Sequence, residues 1–110
     1  MTKIIRLPGN FIGVEDREKL ESFGGHTIAH GRATRWDWSD DDDGDDVFEI
    51  YTGGAVNNLT ACIKRDRERD RYIARDAAGQ KIAAGALEHV FTELDRYFAR
   101  LHGERPDTPA

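Results

Sequence analysis

The sequence contains a single cysteine, Cys62, and this scarcity excludes two kinds of scaffold. One cysteine cannot form a disulfide within the chain, and it cannot build the cysteine clusters that hold structural zinc. A nucleophilic role for Cys62 would need a positioned base, and no sequence neighbour supplies one, so we expect a passive thiol. The missing disulfide framework favours a reducing, cytoplasmic setting.

Long apolar runs are also missing. No stretch approaches the roughly 18 residues that span a bilayer, and residues 1–6 contain no apolar run long enough for a secretory signal. Two of the three prolines fall in residues 104–110, which we expect to be a disordered tail. Residues 1–103 suffice for one modest core, so we predict a single cytoplasmic domain that does not engage a membrane.

What the chain has in excess is acid, and it is concentrated in one segment. Residues 37–49 hold eight acidic residues and no basic one, whereas the rest of the chain holds 16 basic and 13 acidic residues. The net charge of −5 therefore describes a near-neutral domain that carries one intensely negative segment.

In the N-terminal half, short patterns predict three elements. Ile4 and Ile5, followed by a turn cluster, indicate a strand over Thr2–Leu7. An acidic first turn indicates a short helix over Glu15–Phe23, which we expect Gly24-Gly25 to end as a left-handed cap. Alternating residues then predict a strand from His26 to Trp38.

In the C-terminal half, the pattern predicts a meander and a helix. Strands are expected over Val47–Thr52, Leu59–Asp66, Arg71–Asp76 and Lys81–Ala83. Apolar residues at helical spacing predict an amphipathic helix over Ala86–Leu101. We therefore predict an α+β fold: an antiparallel β-meander of four or five strands, with the C-terminal amphipathic helix packed on one face and a short N-terminal helix.

The acidic segment forms the predicted hairpin loop, Ser39 to Asp46, and carries our leading functional hypothesis. Closely spaced carboxylates can imitate the phosphates of DNA and attract the basic surface of a partner protein. The predicted partner-binding residues are Asp40, Asp41, Asp42, Asp43, Asp45 and Asp46, with Trp36 and Trp38 as an aromatic anchor. The hypothesis is a small non-catalytic regulatory domain, with a DNA-mimic inhibitor as one form.

The same residues allow three other interpretations. The acidic loop could be a solvated hairpin that improves solubility, and both tryptophans could cap the core. A calcium site is a third interpretation, because Asp41, Asp43 and Asp45 match three positions of an EF-hand loop. Ser39 and Ile50 occupy its first and twelfth positions, and the twelfth should be a bidentate glutamate. No metal ligand is therefore assigned.

A second charged segment, Lys64 to Arg71, alternates in sign. A functional interpretation makes it a nucleic-acid-binding hairpin that uses Arg67, Arg69 and Arg71. A plainer one is a salt-bridged turn, because the mixed signs weaken its field and no aromatic residues are interleaved for base stacking. The same segment could also pair with the acidic loop of a second copy and form a salt-sensitive homodimer.

Catalytic and cofactor signatures are lacking. The four histidines, His26, His30, His89 and His102, show no metal-binding spacing, and Gly53-Gly54 lacks the lysine of a phosphate loop. A metal-dependent protein or enzyme is the third hypothesis, and we assign no catalytic residue and no cofactor. In size and charge alone, the chain is similar to inhibitors encoded by phages or mobile elements and to immunity or antitoxin proteins.

Overall fold

Five antiparallel strands follow one another along the chain, and each pairs with its sequence neighbours in the order β1-β2-β3-β4-β5. The elements are α1 Val14–Ala29, β1 Arg35–Asp40, β2 Asp46–Thr52, β3 Asn58–Arg65, β4 Tyr72–Asp76, β5 Lys81–Gly85 and α2 Leu87–Leu101. The predicted α+β fold, an antiparallel meander with helices before and after it, is confirmed.

The structure, a computed structural model, describes residues 12–52, 58–66, 69 and 71–101. The strand predicted over Thr2–Leu7, the turn at Gly53-Gly54, Arg67 and the tail predicted over 104–110 lie outside the described residues. In the part of the chain that is described, no helix is both long and apolar enough to cross a membrane.

One row of side chains crosses the whole sheet and faces the helices. Its members, in strand order, are Trp38, Phe48, Ile63, Ala74 and Ala83. The row falls in size from an indole at β1 to methyl groups at β4 and β5. Side-chain volume on the sheet therefore decides how closely each helix can approach.

The C-terminal helix α2 packs over the small end of this row, on β5 and β4. Its large side chains Leu87, Val90, Leu94 and Phe98 are buried there. Fully burying side chains of this size contributes about 1.5–3 kcal/mol each before conformational entropy is subtracted. Since sheet alanines leave room for large helix residues, this helix shows the amphipathic pattern that the sequence predicted.

The N-terminal helix α1 packs over the large end of the row, against β1. Here the large side chains belong to the sheet, and the buried helix residues include Gly24. The helix is longer than the predicted Glu15–Phe23, because it runs through Gly24-Gly25 to Ala29. The left-handed residue that ends it is Gly31 (φ +73°). The N–H of Gly31 bonds Ile28 O at 3.0 Å and that of Arg32 bonds Thr27 O at 2.9 Å, which together form a Schellman motif.

The strand predicted from His26 is also shorter than expected. Residues 26–29 are helical, and β1 begins only at Arg35. The buried residues of α1 include Leu20, Phe23, Gly24 and Thr27, at helical spacings of three, one and three. Glycine and threonine are not counted as apolar residues, so the sequence does not show the buried face of this helix. The alternating pattern therefore predicted a strand where the chain is helical.

Candidate partner-binding surface

The acidic loop is a compact hairpin turn whose backbone is fixed. The N–H of Gly44 bonds Asp41 O at 2.8 Å, and the N–H of Asp41 bonds Asp45 O at 3.1 Å. Gly44 has φ +82°, a conformation that favours glycine. This is the three-residue hairpin loop with a glycine bulge that commonly joins antiparallel strands.

The carboxylate of Asp41 holds this turn from inside. Its Oδ1 accepts hydrogen bonds from the backbone N–H groups of Asp43 and Asp45, both at 3.0 Å. Its Oδ2 forms an ion pair with Lys64 on β3. Burial alone would raise the pKa of Asp41, but the hydrogen bonds from Lys64 and the two amides outweigh it, so the pKa is lowered.

Two further loop carboxylates are held within the molecule. Lys64 Nζ also lies 3.7 Å from Oδ2 of Asp45, whose side chain is only 6% exposed. Asp46 Oδ2 accepts a hydrogen bond from the N–H of Ile12 at 3.0 Å and lies 3.4 Å from a guanidinium nitrogen of Arg17. Lys64 and Arg17 are therefore counter-ions for part of the acidic segment, which the sequence did not reveal.

The remaining acids of the loop point to solvent. Asp40, Asp42 and Asp43 are exposed, and among the described residues none of their carboxylates forms an ion pair. We call these three residues the acidic tip. Of the six predicted aspartates, three thus have exposed carboxylates, Asp41 and Asp45 hold the turn with Lys64, and Asp46 contacts Ile12 and Arg17.

One carboxylate cluster in the loop has metal-ligand geometry. One oxygen from each of Asp41, Asp43 and Asp45 falls in a group whose members all lie within 4.8 Å of one another. The Lys64 ammonium contacts two of these residues and already supplies positive charge there. An ammonium is a competitor of a cation at such a position, so the cluster alone does not indicate a metal centre.

Trp36 and Trp38 are half-buried beneath α1, and both rings pack on Phe48, with ring centroids 5.5 and 4.9 Å away. Trp38 Nε1 donates a hydrogen bond to Glu21 at 2.8 Å, and the Arg17 guanidinium lies 4.0 Å above its ring. These contacts fit the interpretation that the tryptophans cap the core. Their use as a partner anchor stays a prediction, for which the partly exposed side chains leave some surface.

The arginine-rich segment forms the β3–β4 hairpin. Arg71 Nε donates to Asp66 Oδ2 at 2.8 Å, and the N–H of Asp66 bonds Arg71 O at 2.9 Å. Arg69 is exposed, and Arg67 lies outside the described residues. This hairpin projects from the same end of the sheet as the acidic loop, because Val47 pairs with Lys64 across β2 and β3. Two hairpins of opposite charge are therefore neighbours.

The structure places Cys62 on β3 and the pair His26 and His30 at the end of α1. Burial raises the pKa of the Cys62 thiol more than nearby Arg75 lowers it, so the thiol stays protonated at neutral pH. The rings of His26 and His30 lie at the C-terminal end of α1, with centroids 4.2 Å apart and planes tilted by 51°. The raised pKa of Cys62 fits a passive thiol, and the absence of a nucleophilic role stays a prediction.

A groove between α1 and α2 is a feature that the sequence did not predict. It is open to solvent, has a volume of about 710 Å³ and is lined by Glu15, Glu18, Lys19, Ser22, Phe23, His26, Glu88, Phe91 and Asp95. The rings of Phe23 and Phe91 stack across its floor, with centroids 4.4 Å apart and planes 9° apart. Acidic residues form its walls.

The sequence does not predict the groove because its lining residues belong to the separate patterns of two helices. By its spacing, Phe91 falls in the apolar stripe of α2, while Glu15 and Glu18 are acids of α1, so neither pattern indicates a groove. Only the packing of α1 beside α2 brings these side chains together.

No family model matches this chain, and comparisons with curated proteins and with solved structures likewise found no match.

Proposed function

We propose that this protein is a non-catalytic binding domain that engages a basic surface of a partner protein through the acidic tip, Asp40, Asp42 and Asp43. The observation that carries the proposal is the division of the acidic segment. Three carboxylates face solvent, while Asp41 fixes the turn beneath them by accepting two backbone hydrogen bonds.

A fixed turn makes electrostatic recognition more effective than a mobile one. Binding to the tip need not order the backbone beneath it, because hydrogen bonds already hold that backbone in a turn. Clustered charge of one sign also accelerates association with an oppositely charged surface. A basic groove that normally receives nucleic-acid phosphates is one surface of this kind, which keeps the inhibitor form of the hypothesis open.

The variant that tests the proposal combines Asp40→Asn, Asp42→Asn and Asp43→Asn. Asp41 and Asp45 stay unchanged, because their substitution would disturb the turn and confuse binding with folding. Wild type and variant are used as bait in lysate of the source organism, at low and high salt, with mass spectrometry of the captured proteins. A protein retained by the wild type at low salt should be lost from the variant, whose melting temperature should stay within about 2 °C.

A matched control removes the same charge elsewhere. The triple variant Glu15→Gln, Glu18→Gln, Glu88→Gln also deletes three negative charges, but from the groove. Under the proposal, it still captures the partner that the tip binds. Equal capture by wild type and the tip variant would show that the tip is not the recognition surface. Equal loss from both variants would show that net charge or both surfaces together, and not the tip alone, govern capture.

The nucleic-acid hypothesis and the homodimer are separable outcomes. An electrophoretic shift of DNA or RNA that Arg69→Ala and Arg71→Ala abolish would favour nucleic-acid binding and overturn the proposal. A homodimer held by the two hairpins would dissociate as salt rises, which sedimentation would detect.

The cytoplasmic compartment is the setting in which we expect the partner.

A further inference from the structure

We infer that the groove between α1 and α2 is a second binding surface, whose occupant is a basic amphipathic helix of a partner protein. The inference does not depend on the acidic tip, because it rests on different residues and a different pair of elements.

Two stripes of side chains give the groove its shape. On α1, Glu15, Glu18, Ser22 and His26 follow one another at helical spacing, and on α2 the stripe passes through Phe91. Residues 15 and 26 are separated by about 16 Å along a helix axis. A third helix of about three turns matches that length, which is the arrangement of helix-in-groove recognition.

The floor supplies apolar contact. Phe91 is only half-buried although it stacks directly on buried Phe23, so part of its ring faces the groove. An aliphatic or aromatic side chain placed on this ring would remove apolar surface from water. Such a residue would be the central anchor of the occupant.

The walls specify the charge of the occupant. The lining holds four carboxylates and one ammonium group, that of Lys19. Lys19 lies 3.5 Å from Glu88, and Arg32 lies 3.6 Å from Asp95, so the α2 acids have counter-ions. Glu15 and Glu18 are exposed on α1, and among the described residues neither carboxylate forms an ion pair. Lysine or arginine flanking the apolar anchor would complement them.

The test uses synthetic helical peptides of about three turns. One carries leucines on a single stripe flanked by lysines, and a matched peptide carries glutamates in place of the lysines. Binding to the full chain is measured by isothermal titration and by amide chemical shifts. We expect the lysine peptide to bind, the glutamate peptide not to bind, and the shifts to cluster on α1 and α2.

Two variants distinguish the groove from general electrostatic attraction. The groove triple variant Glu15→Gln, Glu18→Gln, Glu88→Gln should weaken the lysine peptide by about fivefold to thirtyfold, whereas the tip triple variant should change affinity by less than about threefold. Ser22→Trp fills the groove from an exposed position and should abolish binding without unfolding the chain. Equal weakening by both triples, binding that survives Ser22→Trp, or shifts centred elsewhere would overturn the inference.

Discussion

The indole of Trp36 lies directly against the backbone of Gly24, with no space for a side chain between them. A Cβ atom added at Gly24 would stand 2.6 Å from Trp36 Cδ1 and 2.9 Å from Phe48 Cζ. Helix α1 therefore contacts the aromatic end of the sheet because one of its buried positions lacks a side chain.

This contact predicts opposite effects at two adjacent glycines. Gly24→Ala should destabilise the fold by about 1–3 kcal/mol, because the methyl group must displace an aromatic ring. Gly25→Ala meets nothing within 4 Å and should stabilise the helix by about 0.5–1 kcal/mol. Urea denaturation of both variants measures the difference. Similar free energies of unfolding for the two would mean that α1 is not seated on Trp36 in this way.

Lys64 is predicted to support the acidic turn. Lys64→Met removes the ammonium group that contacts Asp41 and Asp45, and should lower the free energy of unfolding at pH 7 by about 1–2 kcal/mol. Lys81→Met, a change of the same kind at an exposed position of β5, is the control and should have little effect.

The same pair predicts a pH dependence. A carboxyl whose pKa is lowered in the folded state stabilises the fold above its ordinary value, 3.8 for Asp41, and this contribution is lost as the pH falls through the lowered pKa. The stability gap between wild type and Lys64→Met should therefore be full at pH 6 and shrink below about pH 3.8. Denaturant titrations across pH 2.5–6 would check it, and a gap independent of pH would contradict the ion pair.

Cys62 is predicted to react slowly in the folded protein. Burial raises the pKa of its thiol, so little thiolate is present at pH 7.5. Modification by an aromatic disulfide reagent should be at least about tenfold slower in buffer than in 8 M urea, where the thiol is solvated. Because Cys62 is the chain's single cysteine, the released chromophore reports on this residue alone. Equal rates in the two solvents would show an accessible, activated thiol.

The strands and α2 were predictable because their signals are local. Strands β2 to β5 are short segments with apolar residues between turn residues, and α2 repeats Leu87, Val90, Leu94 and Phe98 at helical spacing. The predicted helix, Glu15–Phe23, is shorter than α1 because Gly24 and Thr27 lie on the buried face of α1 but are neither large nor apolar. Their burial depends on Trp36, which is distant in sequence.

The composition of the candidate surface was predictable, but the division of labour within it was not. The run of aspartates marks a negative hairpin loop at a glance. Which carboxylates stay free depends on Lys64 and Arg17, because these cations reach the loop from β3 and α1. Their positions are set by strand register and helix docking.

The sequence by itself determined a domain with one helix at each end of a β-meander and its negative charge in one loop. Periodicity and turn chemistry act between near neighbours, so they can be read along the chain. The tertiary structure decided that the acidic tip has three exposed carboxylates, and that Phe23 and Phe91 meet at the floor of a groove. Both outcomes require residues far apart in sequence to come into contact, which only the packing of helices on the sheet achieves.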